Sequence, residues 1–143
     1  MREILFRAKS IQTGEWIEGS LITSINRAWI SSEKTDPQRL RSISNTDAIW
    51  RAIEIIPDTI CRFTGRCDKN GKRIWENDIL MAHLDESYPE DVTYETVEWG
   101  MAGWVTREAS STDRQYLDKF DLEHYEVVGN IFDNKELLQE EHK

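Results

Sequence analysis

Between Phe63 and Leu80 the sequence reads FTGRCDKNGKRIWENDIL, and this stretch leaves the backbone few choices. Asn70-Gly71 is the strongest short-range hairpin signal, because a two-residue type I′ turn needs positive φ at both central positions. Arg66 to Lys69 and Lys72 to Trp75 are the arms expected to pair around it. Gly65 predicts a bend in the incoming arm. Glu76-Asn77-Asp78 then interrupts the pattern, and Ile79-Leu80-Met81 resumes it as an apolar strand. The stretch therefore reads as a hairpin followed by a corner that leads a strand into a small barrel or curled sheet.

Taken in order, the rest of the chain repeats this style of construction. Residues 3 to 23 read as a hairpin, with Gln12-Thr13-Gly14-Glu15 as its turn and Trp16 to Ile22 as its return strand. Arg27 to Ser31 is a further short strand. Residues 32 to 47 turn polar, and Asp36-Pro37 is a helix-start pair that predicts a short helix over residues 37–43. Ile49 to Ile56 fits neither period cleanly, but its β-branched residues favour a strand, and Pro57 ends it. Thr59 to Phe63 continues as strand into the hairpin. Beyond Leu80 an acidic loop, residues 85–91, precedes a second hairpin. Its arms are Thr93 to Trp99 and Trp104 to Arg107, with a glycine at each end of the connection. Residues 109–119 read as loop. Tyr125 to Val128 is a strand, Gly129-Asn130 a break, and Asp133 or Asn134 the cap of a closing helix through Leu137 and Leu138 to about Glu141.

Composition narrows the classes of activity. A chain of 143 residues is one domain, or one domain with an appended subregion, and can bury a core without staples. Two cysteines, Cys61 and Cys67, do not make a disulfide framework, which points to a reducing cytoplasm. No run of eighteen apolar residues and no basic-then-apolar amino terminus occurs, so neither a membrane span nor a signal peptide is expected. The net charge of −9 is unevenly placed: residues 1–75 carry 13 Lys/Arg against 9 Asp/Glu, and residues 76–143 carry 5 against 18. The second half repels a polyanion, which disfavours nucleic acid as a partner. A basic amino-terminal half built on Arg2, Arg7, Lys9, Arg27, Arg39 and Arg41 keeps nucleic-acid binding open as an alternative.

The motifs that would carry chemistry are absent. None of the phosphate-cradling, nucleophile-elbow or H-E-x-x-H patterns occurs, and no cofactor is implied. Asp68-x-Asn70-Gly71 resembles the start of a calcium loop, but position twelve counted from Asp68 is Ile79, so the segment reads as a turn and no metal is expected there. Cys61 and Cys67 lie six apart rather than in C-x-x-C spacing; a zinc site with His83 and His124 is the alternative to the commoner reading, free thiols. Glu76 and Asp78 sit at a corner of fixed geometry, where carboxylates ordinarily accept turn amides. They are also the residues a metal-assisted enzyme would use. Trp75, Trp99 and Trp104 lie in or beside hairpins, where an aromatic surface for a ligand is the alternative to plain core packing. These five residues are the candidates for interaction with a ligand or partner, and no catalytic residue is assigned.

The same residues carry a resemblance. Thr64-Gly65, Asp68-Lys69-Asn70-Gly71-Lys72, Ile74, Glu76 and Asp78-Ile79 are similar to the signature of the YopX family of phage and prophage proteins. Met1 to Ile4 with Phe6-Arg7-Ala8 resembles the family's opening strand, and Val128 to Phe132 with Leu137-Leu138 its closing segment. Residues 26–52 match poorly. Asn77 stands where the family usually has glycine, and asparagine accepts the left-handed region better than most residues. With the turn signals, the resemblance implies a mainly β protein, β-rich α+β. A small SH3-like or strongly curled β-barrel is expected from about Asp58 to Ile131. The division expected is residues 1–57, an amino-terminal β-hairpin with a polar or helical insertion, and residues 58–143, the barrel-like core with a short carboxy-terminal helix. It further implies an accessory protein of unestablished activity in the cytoplasm of a bacterial host. Such a protein is read as a non-catalytic binding or assembly module whose partner is a host or phage protein, or a second copy of the chain.

Overall fold

In the computed structural model, residues 5–31, 52–83, 90, 92–108, 111, 113–117 and 123–139 are described. The chain divides into two compact units, Met1–Phe63 and Thr64–Lys143. The architecture is mainly β and antiparallel throughout, with helix limited to two 3-10 turns among the described residues. None of the described helices is long and apolar enough to cross a membrane. The short helix expected over residues 37–43 and most of the acidic loop of residues 85–91 lie outside the described residues.

In the first unit β1 (Phe6–Lys9) pairs with β2 (Trp16–Thr23), giving the expected hairpin, with Phe6 opposite Gly19 and Lys9 opposite Trp16. β3 (Ala28–Ser31) and β4 (Ile53–Ile55) extend the sheet on one side, and the start of β5 (Cys61–Cys67) extends it beside β1. Side chains alternate across a strand, so Phe6, Ala8, Ile17, Leu21, Ala28, Ile30 and Ile55 gather in one apolar core. The sheet curls hard enough that β4 returns to the end of β1. Ser10 bridges Ile55, the Ile11 amide donates to the Glu54 carbonyl at 3.1 Å, and the Ile56 amide donates to the Lys9 carbonyl at 2.8 Å. Gly19 permits this packing, since a Cβ there would lie 1.9 Å from the Ser31 carbonyl oxygen. A 3-10 turn, Pro57–Thr59, then leads into β5, and the Thr59 hydroxyl accepts the Lys9 amide at 2.9 Å.

In the second unit the remainder of β5 pairs with β6 (Arg73–Trp75), and five further strands form a sheet of order β10-β9-β8-β7-β11. These are β7 (Asp78–His83), β8 (Val92–Trp99), β9 (Trp104–Glu108), β10 (Arg114–Tyr116) and β11 (Tyr125–Asn130). Ile74, Leu80, Val97, Leu117, Tyr125 and Val127 form its core.

Four expectations are corrected here. The expected barrel is not closed, because among the described residues no ladder joins β10 to β11. The physical reason lies at β11. Among the described residues its outer edge meets the β5–β6 arm through a single backbone bond, Lys69 amide to Tyr125 carbonyl at 3.1 Å, and through side chains, the Asp68 carboxylate on Val127 and Asn70 Nδ2 donating to Glu126 Oε1 at 3.4 Å; its register slips between Val127 and Gly129. The Asn70-Gly71 turn is not type I′. Gly71 has φ of 81°, but Asn70 does not have positive φ. The Gly71 amide closes onto the Asp68 carbonyl at 3.0 Å and the Asp68 amide onto the Lys72 carbonyl at 2.8 Å. That is a longer turn finished by a left-handed glycine, favoured because the Asp68 side chain captures the turn amides. Part of the loop expected over residues 109–119 is strand β10, with Gln115 opposite Thr106. Finally, the closing helix is a single 3-10 turn, Lys135–Leu138, whose Asn134 cap makes no side-chain capping bond. The Asn134 Oδ1 accepts the Asn130 amide instead, at 3.2 Å.

Candidate interaction site

The β6–β7 corner is built from the backbone outward. Asn77 has φ of 70°, the left-handed value that its position requires. Its amide donates to the Val97 carbonyl at 2.8 Å, and its carbonyl accepts the Ile131 amide at 3.0 Å. One residue thus ties the corner both to β8 and to the segment after β11. Asp78 is 1% exposed, and its Oδ2 accepts the Trp75 amide at 2.8 Å. Trp75 is itself 3% exposed, and Glu76 lies half-buried in the turn between them. The corner is a set of satisfied backbone groups, and the Asp78 carboxylate is committed to one of them.

A second carboxylate, in the segment that reads as a turn from sequence, does more of this work. Asp68, 7% exposed, accepts the Asn70 amide (2.9 Å) and the Lys72 amide (2.8 Å) on Oδ1. Its Oδ2 accepts the buried Val127 amide at 2.9 Å, 59 residues away. The signal for the local half was present, since Asp opening a turn is the ordinary Asx arrangement. Nothing local announced the long-range half. Glu95 is a third case: its Oε1 accepts the Thr106 hydroxyl (2.9 Å) and the Tyr125 hydroxyl (3.1 Å). Among the described residues no group of three or more His, Cys, Asp or Glu is placed to hold a metal ion.

The other candidates come together at the far end of the β8–β9 hairpin. Trp99 and Trp104 are direct cross-strand partners, with ring centroids 4.8 Å apart and planes at 71°. This edge-to-face geometry suits the positive rim and negative face of the two rings. Trp104 packs on the core, whereas Trp99 remains 53% exposed and Met101 in the connecting turn is fully exposed. The turn itself is fixed by the Gly100 amide donating to the Gly103 carbonyl at 2.7 Å. A hydrogen-bonded tip therefore presents an indole and a thioether to solvent.

The opposite face of the same hairpin carries a cleft of about 420 Å³, lined by Asn77, Thr96, Glu98, Arg107, Ile131, Phe132, Lys135 and Leu138. Arg107 Nε and Nη2 both lie 2.9 Å from Glu98 Oε1, and Arg114 Nε lies 3.5 Å from Oε2. In the first unit the cations meet aromatic rings instead: Arg7 lies 4.6 Å from the Trp16 centroid, Lys9 5.5 Å from it, and Arg27 4.9 Å from that of Trp29.

The described residues thus form a mainly β, antiparallel protein of two compact units. The chain belongs to the YopX family, whose model, described as YopX protein, matches residues 5–139. It is also similar to a solved crystal structure, protein EF1440 from Enterococcus faecalis. The TM-score is 0.62 at 24% identity, with 97% of this chain and 100% of that chain covered, which is a likeness of fold. No curated protein matches the chain.

Proposed function

We propose that the protein is a non-catalytic protein-binding module, a phage or prophage accessory protein acting on a host or phage protein in the bacterial cytoplasm. The second unit is read as an open, SH3-like curled sheet that serves as a rigid platform for this role. The observation that carries the reading is the β8–β9 tip, where Trp99 and Met101 stand exposed on a turn that hydrogen bonds hold still. Rigid, exposed tryptophan is characteristic of interface hot spots, where truncation costs about 2 kcal/mol or more of binding. Of the two carboxylates offered for catalysis, Asp78 accepts the Trp75 amide, and the neighbouring Asp68 accepts three further amides. The test is capture from infected host lysate with the intact chain and with Trp99→Ser/Met101→Ser. The intact chain should retain a partner at micromolar concentration that the double variant loses at unchanged melting temperature. Equal recovery by both, or no partner together with a monomer in light scattering, contradicts the reading.

A second reading rests on the stacked cations of the first unit. Arg7 and Lys9 over Trp16, and Arg27 over Trp29, place charge beside aromatic faces as single-strand binders do. Such binding weakens steeply with added salt. A flat or absent gel-shift response with single-stranded DNA at low salt removes it.

A further inference from the structure

The charge of the second half of the chain is lopsided in a way that its fold turns into a local exception. Residues 76–143 contain only five Lys and Arg, against 18 Asp and Glu. Arg107 and Lys135 line the cleft on the outer face of β8 and β9, and Arg114 reaches its rim by pairing with Glu98. Among the described residues, two cations line the concave site and a third pairs with Glu98, the one carboxylate in its lining. The site is positive within a strongly negative sequence.

We propose that this cleft binds a small organic anion, a phosphate ester or carboxylate carrying an aromatic or aliphatic body. Alternation along the strands puts Thr96, Glu98 and Arg107 on the face opposite Trp104 and the core, so the cleft is separate from the aromatic tip. Its lining joins polar side chains of β8 and β9 to the apolar Ile131, Phe132 and Leu138, which fits a ligand with one charged end. A volume of about 420 Å³ falls within the usual span for small-molecule sites, roughly 300–1,000 Å³. The two guanidiniums are the groups best suited to a planar or tetrahedral oxyanion, because their forked donors match its oxygens.

Glu98 gives the proposal its signature. Its carboxylate already sits where the anion of a ligand would sit, bridging Arg107 and Arg114. It is an internal competitor, holding the arginines in place while opposing a second negative charge. Removing its charge strengthens binding, whereas removing Arg107 weakens it, and a plain surface ion pair shows neither effect.

The experiment is an NMR titration of the intact chain with phenyl phosphate, phenylacetate and inorganic phosphate, read at the amides of Thr96, Arg107 and Phe132. Glu98→Gln should bind phenyl phosphate or phenylacetate about tenfold more tightly than the parent, and Arg107→Ala about tenfold more weakly. Lys135→Ala, at an exposed position, should weaken binding a few-fold. Preference for one aromatic probe over the other decides between phosphate ester and carboxylate. Inorganic phosphate should bind more weakly than the preferred aromatic probe. The proposal is overturned if Glu98→Gln gains nothing, if Lys135→Ala binds like the parent, or if inorganic phosphate equals the aromatic anions.

Discussion

The two units bring distant strands together by different means. In the first, backbone meets backbone: Ser10 bridges Ile55, and amides of Ile11 and Ile56 close β4 onto the end of β1 around an apolar core. In the second, the sheet stays open and carboxylates make up the difference. Asp68 joins the β5–β6 turn to β11, Asp78 holds the corner before β7, and Glu95 accepts two hydroxyls from β9 and β11. A sheet that curls fully satisfies its own amides, while one that stops short leaves donors that need another acceptor. The acidity of the second half is thus partly architectural, which is why it predicts so little chemistry.

The largest effect should follow from removing that acceptor. Asp68→Ala leaves the buried Val127 amide without a partner and frees two turn amides. The expected cost is about 3 kcal/mol in urea unfolding. A loss below about 1 kcal/mol would break the contrast between the units. The first unit has its own sensitive point in backbone crowding. Gly19→Ala forces a Cβ against the Ser31 carbonyl where φ is 157°, and should cost about 2–3 kcal/mol by parting β2 from β3. Circular dichroism melts of the two variants compare these sites directly.

Smaller effects sharpen the picture. Asn77 holds a left-handed turn that asparagine and glycine accept and a β-branched residue does not. Asn77→Val should be less stable than Asn77→Gly by about 1–2 kcal/mol in the same unfolding assay. The smallest effect belongs to the exposed Arg27–Glu54 pair, at 2.7 Å. The hydrogen bond from Arg27 holds the Glu54 carboxyl below its ordinary value; burial opposes it, and the charge of Arg27 adds a smaller lowering. A depressed carboxyl contributes above its unfolded-state pKa, and that contribution is lost as pH falls through the folded-state value. The urea midpoint of the parent should therefore fall slightly more than that of Arg27→Gln between neutral and acidic pH, and the difference should shrink in salt.

Much of the framework was legible because its signals are local. The hairpin of β1 and β2, that of β8 and β9 and the strand at Tyr125 follow from alternation and turn residues within a few positions, while the left-handed Asn77 was implied by the family resemblance. β10 was not, because Arg114-Gln115-Tyr116 lacks alternation and is a strand only by virtue of β9 beside it. The turn type at Asn70 was misjudged because the pair Asn-Gly was weighed without the Asp68 side chain that overrides it. The Glu98 cleft joins residues from β8, β9 and the final turn, a grouping that only the register creates.

The buried carboxylates Asp68 and Asp78 are spent on backbone amides, and amide hydrogen exchange tests this residue by residue. In Asp68→Asn the Val127 amide should exchange at least about tenfold faster than in the parent, and in Asp78→Asn the Trp75 amide should do the same. Unchanged protection at both amides would contradict the account and return those carboxylates to the list of groups available for chemistry.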